Sequence, residues 1–305
     1  MTSIAPLDDI TPPATPTQII LCENGDVHLT FGGEPTTQYL VSSAILSNAS
    51  PVFSKTFSER WNADERISAA SPKSFTCPDD DPTSMEILLR VLHLKIGSNK
   101  RFMPITAGSG FTVVCDKYDC AAAVGFVAEM WIALHLTAPD LVFAEMEHLL
   151  DMALFFNETA HSETLIHMMV FKSAEPVLDH VMSEDSLLTT KMLVTVHKLR
   201  EMKRNAIKDA LKNVVDGPKR CTCHYKIKAE DIAMLYHKID TISVKESVTS
   251  ALQYLRGVNN QMIKECGKSM HSPNDRRLDQ IMNISLMTLS LIEVSRPLKW
   301  EDLKA

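Results

Sequence analysis

Long apolar runs are missing from this chain of 305 residues. Its two most apolar windows, Ala121 to Leu136 and Ile281 to Val294, are shorter than the ~20 residues a bilayer-crossing helix needs, and Glu129 and Glu293 interrupt them. No membrane span is expected. An excess of positive charge is missing as well, since 31 Lys and Arg stand against 38 Asp and Glu for a net charge of −7. Coating nucleic acid requires a basic face that displaces phosphate counterions, so the composition disfavours that class. The first residues lack the basic start and continuous apolar stretch of a secretory signal, and the expected location is cytoplasm or nucleus. Seven cysteines is an odd count. In a reducing compartment Cys22, Cys77, Cys115, Cys120 and Cys266 then read as free thiols.

With 45% hydrophobic and 23% charged residues, the chain has ordinary globular chemistry. Single cores stop growing at about 250–300 residues, so two domains are expected. Residues 1–18 are proline-rich with scattered apolar positions, and read as a disordered tail. From Gln18 to Leu29 an apolar run, Asn24-Gly25-Asp26 and alternating Val27 and Leu29 read as strand, tight turn, strand. A third strand, Thr37 to Val41, leads into a short helix capped by Ser42 or Ser43, and a second short helix starts at Pro51. Lys73 to Cys77 reads as a strand. Asp81 before Pro82 is a helix start, and the helix, with Met85, Leu88, Leu89 and Leu92 facing inward, runs to about Lys95 before Gly97-Ser98-Asn99 ends it.

Beyond Thr112 the pattern is almost entirely helical. The candidates are 111–117, 121–136, 142–156, 159–172, 187–215, 229–239, 244–266 and 275–294, punctuated by Pro139, Pro176, Gly217-Pro218 and Pro273. The expected fold class is α+β, mostly α: a domain of short strands and a helical cluster over 19–137, then an all-α domain over 138–305.

The run Leu40-Val41-Ser42-Ser43-Ala44-Ile45-Leu46-Ser47-Asn48-Ala49-Ser50-Pro51-Val52-Phe53 resembles the signature of BTB/POZ domains, in which a strand enters a helical hairpin through a serine-proline turn. Gly25-Asp26-Val27, Glu59, Cys77 to Pro82, Leu88-Leu89, Leu92-His93 and Trp131 stand in matching order. Cys115-Asp116-Lys117-Tyr118-Asp119-Cys120 resembles the family's later helix-turn motif. Ser42 in place of a more familiar histidine makes the chain look most like the fungal members. The resemblance covers about 19–137, and Leu149 to Phe171 weakly resembles the helical extension that often follows.

The resemblance implies a non-enzymatic protein-protein interaction module that forms a homodimer, with Ile20, Leu21, Ile45, Leu46 and Phe53 at the seam. A two-fold pair buries the same patch on both copies. The competing reading makes these five residues monomer core. The resemblance also raises an alternative role as substrate adaptor on a cullin scaffold of a ubiquitin ligase, although Lys95 to Lys100 lacks the hydrophobic-x-glutamate element of animal adaptors.

No catalytic, cofactor-binding or metal site is expected. Cys221-Thr222-Cys223-His224 with His237 gathers soft and imidazole ligands, but the Cys-x-Cys spacing is tighter than zinc pairs use, and an exposed thiol loop is the preferred reading. His161, Glu163 and His167 do not have the four-residue spacing of a metalloprotease helix. Asp79-Asp80-Asp81 reads as a turn and cap rather than a calcium loop. Gly108-Ser109-Gly110 lacks the remaining parts of a phosphate loop, and reads as a flexible connector.

One segment departs from the acidic whole. Lys198 to Lys228 holds ten Lys or Arg against three Asp or Glu, net +7. On its helix Met192, Val196, Leu199, Met202, Ile207, Ala210, Leu211 and Val214 form an apolar stripe, and the basic residues are expected on the solvated faces. A further alternative is therefore a nuclear regulator touching acidic partners or nucleic acid through residues 198–228. Met146, Met152, Met168, Met169, Met182, Met192 and Met202 recur at helical spacings and read as core filling.

Overall fold

The computed structural model describes residues 17–32, 37–58, 67–96, 103–181 and 188–216, and further on 233–234, 236–238, 241, 247–254 and 256–257. The thiol loop at 221–224, Cys266, Glu59, most of the tail and most of the last three helix candidates lie outside the described residues. The fold is α+β and mostly helical, with one small mixed sheet near the N-terminus. Two compact units divide after Trp131 rather than at residue 137, inside the helix that spans Ala121–His135.

Four strands build the sheet of the first unit: β1 Thr17–Ile20, β2 Val27–Phe31, β3 Thr37–Val41 and β4 Lys73–Cys77, in the order β1-β3-β2-β4. Strand β2 pairs antiparallel with β3 and parallel with β4, while β1 pairs parallel with β3. The alternation expected of a half-buried strand is present, with Val27, Leu29 and Phe31 buried and His28 and Thr30 on the other face. The expected hairpin between the first two strands is corrected. Strand β3 lies between them, and the link Leu21–Asp26 crosses its end, with the Leu21 and Cys22 amides bonding Leu40 O and the Asp26 amide bonding Val41 O. Gly25 fits there because a Cβ would stand 2.7 Å from Leu40 Cγ and 2.8 Å from Val41 O. Strand β1 also starts at Thr17, so 17–18 belong to the sheet and not to the tail.

The helices of this unit are α1 Ser43–Ala49, α2 Pro51–Thr56, α3 Pro82–Leu92, α4 Gly108–Lys117 and, as far as Trp131, α5 Ala121–His135. Asp81 starts α3 as expected: its carboxylate accepts the Ser84 amide at 2.7 Å and the Ser84 hydroxyl at 2.6 Å, with Pro82 in the first helical turn. Gly108-Ser109-Gly110 is not a connector. It forms the first turn of α4, and a Cβ on Gly110 would meet Ser84 Oγ at 2.4 Å, so the glycine allows α3 and α4 to approach closely.

The second unit contains α6 Phe143–Phe155, α7 Thr159–Phe171, the short α8 Val177–Val181 and α9 Thr190–Asp216. Helix α8 was not foreseen. Buried Leu149, Leu150, Leu165, Ile166, Val196 and Ile207 supply its core, together with Met146, Met152, Met168 and Met169. Glu145 reaches back to the Val142 amide and Glu175 accepts the Phe143 amide, so two free donors at the start of α6 are satisfied by carboxylates.

Helices α3, α4 and α6 share one ending. Each places a residue with positive φ just past its cap, Leu94 at 54°, Asp119 at 48° and Asn157 at 58°. Each closes with the same two backbone bonds, for α4 from Asp119 N to Asp116 O and from Cys120 N to Cys115 O, both 3.0 Å. This is the Schellman motif, and glycine usually occupies its left-handed position.

The inner stripe of α9 is also corrected. Met192, Leu193, Val196 and Ile207 are buried as the periodicity requires, but Arg200 and Arg204 share the buried face, and Met202 is exposed. Arg200 is 1% exposed, donating to the carbonyls of Met169, at 2.5 Å, and Glu175, and its guanidinium lies 5.6 Å from the Phe143 ring centre. Burial, reinforced by neighbouring Arg204, pulls its pKa down to about 10. The guanidinium caps the last turn of α7, a task its long stem and forked donors permit.

Candidate interaction face

The strand-to-helix corner is built on short-range polar bonds. Asp26 accepts the Ser43 amide at 2.7 Å and the Ser43 hydroxyl at 2.6 Å, and Ser42 Oγ accepts the Ile45 amide at 3.4 Å. Both serines therefore cap α1, Ser43 by way of Asp26. Ser50 then ends α1 and begins α2: its amide bonds Leu46 O, its hydroxyl accepts the Phe53 amide at 3.0 Å, and Pro51 follows in the first turn. The same hydroxyl donates to the Tyr118 carbonyl.

Aromatic stacking carries the hairpin onto the rest of the unit. Phe53 lies between Phe57, at 5.6 Å between ring centres, and Tyr118, at 4.3 Å, and Phe57 meets Phe75 edge-on at 5.3 Å. Beneath them the buried Asp80 carboxylate accepts the Tyr118 hydroxyl and the Lys117 ammonium, each at 2.5 Å. Burial raises the Tyr118 pKa and the Asp80 bond adds to it, so the phenol stays protonated and donating. The Asp-Lys-Tyr-Asp-Cys segment thus supports the hairpin as a turn and cap. Its Lys117 and Tyr118 each bond one oxygen of the Asp80 carboxylate.

The five expected seam residues separate into two groups. Leu21, Leu46 and Phe53 are 0–3% exposed within the single chain, so they are core residues and are corrected as seam contacts. Ile20 at 57% and Ile45 at 38% exposure remain outward. Ile20 sits on β1, an edge strand of the sheet. Apart from Ile45, the outer side of α1 shows Ala44 and Asn48.

A larger apolar surface escaped the sequence reading. On α5 the buried positions Val124, Ala128, Trp131 and Ile132 define one face, while Phe126 at 78% and Met130 at 48% exposure stand on the other, one turn apart. Apart from exposed Glu129 and terminal His135 its segment is apolar, and part of that apolar surface faces outward. Among the described residues no helix is long and apolar enough to cross a membrane.

Other expected sites are placed as follows. His237 is helical and exposed, while Cys221, Cys223 and His224 lie outside the described residues. His167 stacks on Phe171 at 4.4 Å between ring centres, and Ser162 bonds back to Glu158 O. No protein-family model matches the chain, and no curated protein matches it.

Proposed function

We propose that the chain is a non-enzymatic protein-protein interaction module of BTB/POZ type, which self-associates through its N-terminal unit and presents a partner-binding surface on the helical unit that follows. The observation that carries this reading is the corner at Ser50-Pro51, a strand feeding a two-helix hairpin locked to the Tyr118 turn. That is the arrangement implied by the resemblance. Ile20 and Ile45 are the members of the expected seam left outside the core, and they are the anchors of the proposed two-fold contact. A dimer displays two copies of every surface, so weak partner contacts gain effective concentration without new chemistry.

Light scattering on the full chain after size exclusion tests the reading. The expected mass is twice the chain's 34.0 kDa across the micromolar range. A mass of one chain at every concentration overturns it.

A further inference from the structure

Two thiols occupy special positions in the ending of α4. Cys115 is the residue whose carbonyl receives the long backbone bond of the motif, and Cys120 is the residue that donates it, at 3.0 Å. Side chains at these two positions of a Schellman motif characteristically touch. Here Cys120 Sγ also lies 3.7 Å from Cys115 O, and both residues are buried. The backbone bond holds the two Cα atoms within about 7 Å by covalent geometry, close to the span a disulfide bridges.

The pair is also unequal. The Cys120 thiol donates to Cys115 O, and the side-chain contact between the two thiols lowers the Cys120 pKa and, with burial, raises that of Cys115. Cys120 immediately precedes α5, where the free amides of a 15-residue helix favour negative charge. One member is therefore the better nucleophile and the other is in position to resolve it.

We propose that Cys115 and Cys120 form a peroxide-sensitive dithiol that closes to a disulfide and latches the α4–α5 turn. Cys120 thiolate attacks one oxygen of hydrogen peroxide, the O–O bond breaks, and the departing hydroxide takes a proton to leave as water. Cys120 is then a sulfenic acid. The Cys115 sulfur attacks the Cys120 sulfur, the S–S bond forms, the S–O bond breaks, and the hydroxyl leaves with the Cys115 proton as a second water. Peroxide is reduced by two electrons and the dithiol is oxidised by two. Burial makes local opening of the turn the entry step for peroxide. The latch acts on Tyr118, which lies between the two cysteines in the chain and holds Ser50 and Phe53, so closure stiffens the α1–α2 hairpin.

The inference rests on the turn geometry and is independent of self-association. Its test uses the native full chain treated with hydrogen peroxide, alkylated, and digested with trypsin. Cleavage after Lys117 separates the two cysteines, so a disulfide leaves the peptide ending at Lys117 joined to the one beginning at Tyr118. The expected result is this linked pair, dissolved by dithiothreitol and absent in Cys115→Ala, together with a higher melting temperature and slower amide exchange at residues 50–58 in the oxidised chain. The proposal is overturned if Cys22 or Cys77 oxidises while the pair stays reduced. It is equally overturned if the link leaves melting and exchange unchanged.

Discussion

Nε2 of His93 accepts the Ser42 amide hydrogen at 3.1 Å, which ties the end of α3 to the start of α1. The other ring nitrogen, Nδ1, donates to Leu89 O at 2.9 Å. Both bonds require the neutral imidazole with its proton on Nδ1. A second proton would set two donors against each other at Ser42.

Burial accordingly lowers the His93 pKa below the ordinary value of about 6.5. The unfolded chain then binds a proton that the folded chain refuses, so this contribution is fully present above pH of about 6.5 and is lost as pH falls through the lower folded value. His93→Gln is expected to flatten the fall in melting temperature on acidification below that point. An unchanged slope in the variant contradicts the assignment.

Leu94 stands in the left-handed region at φ 54° and is 90% exposed, so its side chain gains little from packing while its Cβ opposes the turn. Leu94→Gly is expected to stabilise the chain by about 1 kcal/mol, as removal of that clash exceeds the entropy glycine adds to the unfolded state. Urea unfolding measures it, and a loss of stability contradicts the account.

Tyr118→Phe keeps the stack on Phe53 and removes one donor from a buried carboxylate. The expected cost is about 1–3 kcal/mol, with Asp80 left one hydrogen bond short. Ser50→Ala removes the cap of α2 and the tie to Tyr118 O together, with a loss of at least about 1 kcal/mol. Urea midpoints that do not move in either variant would show the support is idle.

Arg200→Leu tests the buried guanidinium. The buried Met169 carbonyl and the part-buried Glu175 carbonyl lose their donor, so a total loss above about 1 kcal/mol is expected. A change under about 0.5 kcal/mol, typical of a surface cation, contradicts it.

The legible parts of the fold were those in which a local rule acts alone. Asp81-Pro82 announced α3, and the alternation at Val27, Leu29 and Phe31 announced a strand. What escaped depended on partners distant in sequence. Strand order escaped because Asn24-Gly25 reads equally as a hairpin turn or as a crossing beneath Leu40. The end of α3 was placed late because Leu94 does the work of glycine there. Arg200 was assigned to the surface by its charge, since nothing local shows that the Met169 and Glu175 carbonyls await a donor. The seam residues were chosen by resemblance to a hairpin, which does not distinguish the side of α1 carrying Leu46 from the side carrying Ile45.

Sedimentation equilibrium of the full chain beside the Ile20→Asp, Ile45→Asp double variant addresses self-association at its proposed contact. Both side chains are partly in solvent, so the variant should stay folded by circular dichroism. The account predicts a dimer for the parent chain and a monomer for the variant. A parent that sediments as a monomer, or a folded variant that dimerises as tightly as the parent, contradicts it.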